Sequence, residues 1–234
     1  MVFLITLICA IAFAFAFKTP LRKAPWVFYT VAIILDILFI GRSYFDFPVY
    51  IERPIFYLVQ KCTLAEALFI IVMYIGVFSE KSKIRARFMP VRAELSILAC
   101  LLALGHIVNY LMSFMPLVFG STASLRVNII LSFCLAILLV VLLVLLGVTS
   151  FNAVKKRVSA QGWKRIQWFA YPFFLLTWVH VLLFLLPSAL SGRQTAIISV
   201  VVYSVIFVVY IIARSAAALR KRNAEATRSL EYRG

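Results

Sequence analysis

Residues Gly162–Pro187 read "GWKRIQWFAYPFFLLTWVHVLLFLLP", and this stretch decides the fold. From Ile166 to Pro187 it contains no Asp, Glu, Lys or Arg. An apolar run of roughly 17–25 residues is what an α-helix needs to cross a bilayer. Working outward, comparable runs lie at about 1–17, 26–41, 56–79, 93–118, 125–150 and 194–213. The sequence therefore predicts an all-α, polytopic transmembrane helical bundle of about seven helices. The count falls to six if one of the two short N-terminal runs is re-entrant. Hydrophobic residues make up 65% of the chain and mean hydropathy is +1.05, which excludes an ordinary soluble domain.

Charge supplies the orientation. The net charge is +16, yet the cations gather in alternate loops rather than on one amphipathic face, so a membrane explains them and nucleic acid is not expected as a partner. Segments 18–25, 80–92, 151–165 and the tail from Arg214 hold 19 of the 24 Lys and Arg residues, and the opposite side holds 5. The positive-inside rule then predicts N-out, C-in in the cytoplasmic (inner) membrane. The N-terminal "MVFLITLICAIAFAFAFK" has no cation before Lys18, so it is read as a retained span rather than a signal peptide. Cys9, Cys62, Cys100 and Cys134 lie in apolar segments without CxxC spacing and are expected to be buried structural thiols. No GxGxxG or P-loop occurs, so a nucleotide or flavin module is expected on a partner.

The chain has two histidines. His106, in "ILACLLALGHIVNYLMSF", stands 13 residues beyond Ala93, and His180 stands 14 beyond Ile166. Each is then roughly 20 Å from the inner boundary, at one shared depth. Ionisable groups inside a membrane are costly and point to function. Two imidazoles facing each other suit a six-coordinate haem iron; two unrelated interhelical hydrogen bonds are the other reading. Asn109 and Thr177 share the faces of His106 and His180 and are candidate partners for the imidazoles or a haem edge. Gly105 is a candidate for close approach of a flat macrocycle or of another helix. Outer-side Arg42, Arg53, Arg126 and Arg193 are candidates for haem propionates, Arg126 foremost. Asp36 and Glu66 form a candidate proton or quinone site. Trp163, Trp168 and Tyr171 mark an inner aromatic edge.

The stretches "ALFIIVMYIGVFSEKSKIRARFMPVRAELSILACLLALGHIVNYL" (67–111) and "GVTSFNAVKKRVSAQGWKRIQWFAYPFFLLTWVHVLLFLLP" (147–187) resemble the ferric reductase-like transmembrane domain family. Within it they are most similar to haem-binding membrane subunits of periplasmic methionine sulfoxide reductase systems. The resemblance spans 64–214, leaving 1–63 as additional N-terminal helices with the start of the third, and 215–234 as a basic cytosolic tail. It implies an electron-transfer subunit rather than a complete enzyme. Its ligands to one b-type haem are then His106 and His180, its donor a cytosolic flavin reductase or the quinone pool, and its acceptor an extracytoplasmic reductase. That family places a second histidine thirteen residues before each outer ligand. Here those positions hold Gln167 and Ala93, which implies one haem, with FMN or a quinone as candidate further cofactors. A haem-free small transporter or membrane scaffold is the alternative reading.

Overall fold

A computed structural model describes residues 2–44, 47–119 and 127–231. The described residues are helical almost throughout, with no strand among them. The order begins α1 (Val2–Ala16), α2 (Lys18–Lys23) and α3 (Pro25–Ile40), then a 3-10 turn (Gly41–Tyr44). Next come α4 (Val49–Ile51), a π-helical turn (Glu52–Phe56), α5 (Tyr57–Gln60), α6 (Thr63–Ile75) and α7 (Lys83–Phe88). A 3-10 turn leads into α8 (Arg92–Phe119), followed by α9 (Val127–Ser150), α10 (Asn152–Lys155), α11 (Ala160–Trp168), α12 (Ala170–Leu190) and α13 (Gln194–Glu231).

Local chemistry sets several boundaries. Pro25 opens α3 at a position where its missing N–H has no helical acceptor to lose. The Ser159 hydroxyl accepts the Gly162 N–H at 3.1 Å and caps α11. Gly192, at φ +82°, turns the chain between α12 and α13. Where the sequence pattern gives one span over 56–79, the helix is instead broken between α5 and α6. Cys62 adopts φ 55° there, and the two helix axes differ by 52°. The left-handed conformation interrupts the i→i−4 ladder and re-aims the chain.

The spans Lys83–Pro116, Val127–Ser150, Ala160–Leu190 and Gln194–Asn223 are each long and apolar enough to cross a membrane, and the bent α5–α6 pair makes a fifth if it crosses as one. Helices α1 and α3 are 15 and 16 residues long, short for independent spans. Val31, Ile37, Val141 and Ile212, each about 60% exposed, project from helix sides that only lipid would cover favourably. The chain is an all-α, multi-pass membrane bundle.

Helix α6 is its axis, buried on nearly every side from Ala65 to Met73. It packs against α1 and α8, meets α12 through Phe69 and Phe173 (5.2 Å between ring centroids), and meets α13 through Tyr74 and Tyr210 (5.5 Å). The N-terminal helices belong to the same core: Phe3 stacks on Tyr203 of α13 at 4.1 Å, and α3 packs along α8. The expectation of four buried thiols fails at two positions. Cys9 and Cys134 are exposed, while Cys62 and Cys100 are half-buried, and all four are free. A period-3.6 apolar helix in lipid has no polar face, so hydropathy alone does not say which side a cysteine takes.

One end of the bundle gathers the cation-rich connections. Arg87 donates to the Phe15 carbonyl (3.0 Å), Arg85 to that of Phe78 (3.1 Å) and Arg214 to that of Gly76 (3.1 Å). The other end holds the 3-10 turn Gly41–Tyr44, α4 and the C-terminal halves of α8 and α12.

Candidate functional site: two imidazoles and two buried carboxylates

His106 lies on α8 and His180 on α12, helices that make little direct contact with each other while both pack on α9. The break at Cys62 leaves the Gln60 carbonyl outside the helical ladder, and His106 Nδ1 lies 2.7 Å from it. A carbonyl only accepts, so Nδ1 carries the proton and Nε2 presents its lone pair. His180 is engaged through the same ring atom, here by a hydroxyl, which can accept from Nδ1 or donate to it. Its Nδ1 lies 3.2 Å from the hydroxyl of Ser132 on α9, a residue with no exposed surface. Among the described residues neither Nε2 has a hydrogen-bond partner. The two rings are close enough to interact electrostatically. Tyr110 tilts against His106 at 4.7 Å between ring centroids, and Phe184 meets His180 edge-on at 5.3 Å.

The groups expected beside the imidazoles have other partners. The Asn109 amide oxygen accepts from Arg42 at 3.0 Å. Arg42 also donates to the Phe39 carbonyl (2.8 Å) and lies over the Phe39 ring at 4.2 Å. Thr177 gives its proton to the Phe174 carbonyl one turn back, at 2.6 Å, and its other side lies near Glu66. Arg126 lies outside the described residues, and Arg53 and Arg193 are exposed. Gly105 is a helix-packing glycine rather than a bed for a macrocycle: a Cβ on it would fall 2.5 Å from Asp36 Oδ1 and 2.8 Å from Val59 Cγ1.

Asp36 on α3 and Glu66 on α6 are 6% and 7% exposed. Each has one carboxyl oxygen, Oδ1 and Oε1 respectively, fully buried without a hydrogen-bond partner. Cys62, at the helix break, lies within electrostatic range of both, and Tyr203 on α13 within range of Glu66 and Cys62. The two carboxyl groups therefore flank the break that frees the Gln60 carbonyl for His106.

At the cation-rich end, Trp163, Trp168 and Tyr171 do share a hollow. A cavity of about 200 Å³ lies between α6, α8, α11, α12 and α13, with Gln167 in its wall. Gln167 Nε2 donates to the Thr149 hydroxyl at 3.2 Å, and Trp163 Nε1 to the Thr149 carbonyl at 3.1 Å. Sequence reasoning missed Ser132, because a lone serine in an apolar run is common, and missed the Gln60 carbonyl, because nothing in "LVQKCTLAE" announces a left-handed residue. It also read Arg92 and Arg214 as topology charges only.

No protein-family model matches the sequence. The chain is 36% identical over 170 residues to an uncharacterized protein of Treponema pallidum (strain Nichols), a match covering 73% of this chain and 47% of that protein. It thus spans about half the length of that relative, whose description carries no activity.

Proposed function

We propose that the chain is a b-type haem electron-transfer subunit of the cytoplasmic membrane, with His106 and His180 as the axial pair. The observation that carries the reading is the shared state of the two rings, Nδ1 engaged and Nε2 without a partner. Metal-ligating histidines characteristically donate the second ring nitrogen to a carbonyl or similar group, which fixes the tautomer and the ring plane. The donor set suits the group: two neutral nitrogens, on helices that do not pack directly together, with no acidic residue needed as a third ligand. Held by His106 and His180, haem would supply a one-electron carrier.

The chain's own residues do the positioning. The Gln60 carbonyl and the Ser132 hydroxyl hold the rings, and Tyr110 and Phe184 restrict their rotation. Arg42, held by Asn109 and Phe39, places a cation at the outer end. The resemblance to the ferric reductase-like transmembrane family, nearest to MsrQ-type subunits, supports the same assignment. It gives the direction as a cytosolic flavin reductase or quinol in, and an extracytoplasmic reductase out. Gln167 is occupied with Thr149, consistent with a single haem.

A haem-free transporter draws on a different observation, the bent α5–α6 pair with Asp36 and Glu66 beside its break, because broken helices at membrane depth line ion paths in many transporters. Reduced-minus-oxidised spectra of the detergent-purified chain separate the two, with haem quantified in wild type, H106A and H180A. About one low-spin haem per chain, lost in either variant, is the expected result. An unstained protein after expression with ample haem would move the assignment to the transporter.

A further inference from the structure

The cavity at the cation-rich end has walls that its neighbours do not neutralise. Arg92, Lys164 and Arg214 line it and no acidic residue does. Arg92 lies within electrostatic range of both Arg214 and Arg85. Among the described residues one ion pair is found, Arg85 with Glu80 at 3.7 Å, and it involves neither cavity arginine. Like charges held together at the edge of a low-dielectric bundle repel, and no described carboxylate pairs with either cavity arginine.

Both guanidinium groups have a structural duty at the end of α6. Arg92 Nε donates to the Val72 carbonyl at 3.3 Å. Arg214 donates to the Gly76 carbonyl and to the Tyr171 hydroxyl, with its guanidinium 4.9 Å from the Tyr171 ring centroid. These contacts cap carbonyls at the negative end of a helix, which accounts for part of the charge. A guanidinium has five N–H donors, so most of those on Arg92 and several on Arg214 are left over. A helix terminus carries about half a unit charge, against three full cations here.

The surroundings specify the anion. Guanidinium forks match phosphate and carboxylate oxygens. A second hollow, of about 300 Å³, shares Trp168 and Arg214 with the first and adds Lys221 and Arg222. The basic lining therefore continues outward along α13. Trp168, which lines both hollows, is 71% exposed, and the next residue, Phe169, is 47% exposed, so aromatic surface lies open beside the basic lining. Aromatic belts and basic pockets between helices occur together at the depth of phospholipid head groups.

We infer that this cavity is a binding site for a phosphate ester, gripped by Arg92, Arg214 and Lys164 and flanked by Trp163 and Trp168. The ester is either the head group of an anionic phospholipid or the phosphate of a soluble cofactor. The assignment is independent of the haem reading, since the cavity is walled by different residues from those around the imidazoles.

The test is native mass spectrometry of the full chain, delipidated in detergent and then supplied with phosphatidylglycerol, phosphatidylcholine or FMN. The expected result is one phosphatidylglycerol retained per chain, bound roughly tenfold more tightly than phosphatidylcholine, and weakened by a similar factor in R92Q and in R214Q. Retention of FMN in place of phosphatidylglycerol, with the same dependence on the arginines, assigns the soluble source and still supports the site. Because either arginine change also uncaps α6, K164Q is measured beside them, with R157Q as a control outside the cavity. Equal retention of the two lipids with no FMN bound, or wild-type retention of the preferred ester by K164Q, R92Q and R214Q alike, overturns the proposal.

Discussion

Gly105 and Asp36 are mutually dependent: a methyl group on the glycine would sit 2.5 Å from the carboxyl oxygen of the aspartate. Real Cβ atoms do not approach an oxygen so closely, and α3 packs along α8 at this point, so a methyl group there forces the two helices apart or displaces the carboxyl group. The G105A chain is expected to lose ~1–3 kcal/mol of stability, the usual cost of overpacking a filled core. Thermal unfolding in detergent reads this directly. Because two partners clash, D36A combined with G105A should recover part of the loss, and Val59, 2.8 Å away, should keep the rest. Strict additivity would mean that the close approach is not the cause.

Ser132 is the most economical handle on the His180 ring. Its hydroxyl is the partner of Nδ1, it has no exposed surface, and removing it deletes that partner while leaving the imidazole itself in place. S132A should therefore retain the fold while haem affinity falls by roughly 10–100-fold, the range found when the outer partner of a ligating histidine is removed. Titration of the apo-protein with haemin measures this. An unchanged affinity, alongside a haem that H180A abolishes, would show that helix packing alone orients the ring.

Glu66 and Asp36 present a different balance. An unpartnered carboxyl oxygen in the interior is unfavourable whatever its role, and an amide of the same shape brings its own donors to the site. E66Q and D36N are expected to raise the unfolding midpoint, or to leave it within about 0.5 kcal/mol of wild type. A buried group whose removal does not destabilise the fold is then a candidate for retention by function. The corresponding functional reading is a loss of quinol-driven haem reduction in membranes while dithionite still reduces the haem. If both variants unfold the chain, the carboxyl groups are structural.

Long, strongly apolar elements were legible from composition. The α8, α9, α12 and α13 spans follow from runs that nothing but lipid and a helical backbone can satisfy. The two histidines stood out for the same reason, since a polar ring in such a run has few neutral explanations. What the runs hide is azimuth and breaks. Cys62 ends a helix without a Gly or Pro beside it, so the pattern reads through it. Gly105 looked like a bed for a ring until the opposite helix put Asp36 there. Asn109 and Thr177 do share a helix face with the histidines, yet nearer acceptors and donors claim them. Arg92 and Arg214 are indistinguishable in sequence from topology signals, and only the meeting of five helices makes them one site.

Orientation is the prediction on which donor and acceptor sides depend. The 19-to-5 split of cations places the start of α11, which bears Lys164, in the cytosol and the turn bearing Arg193 outside. Both residues are exposed, so single cysteines at these positions report their side when intact cells meet a membrane-impermeant maleimide. The native thiols must first be replaced by serine or alanine, Cys9 and Cys134 above all, because these two project from the bundle surface and become accessible once detergent is added. In intact cells R193C should label and K164C should not; after lysis both should. The opposite pattern would place the arginine-lined cavity on the outer face and the imidazole pair nearer the cytosol. Donor and acceptor would exchange sides, while the pairing of His106 with Gln60 and of His180 with Ser132 would stand unchanged.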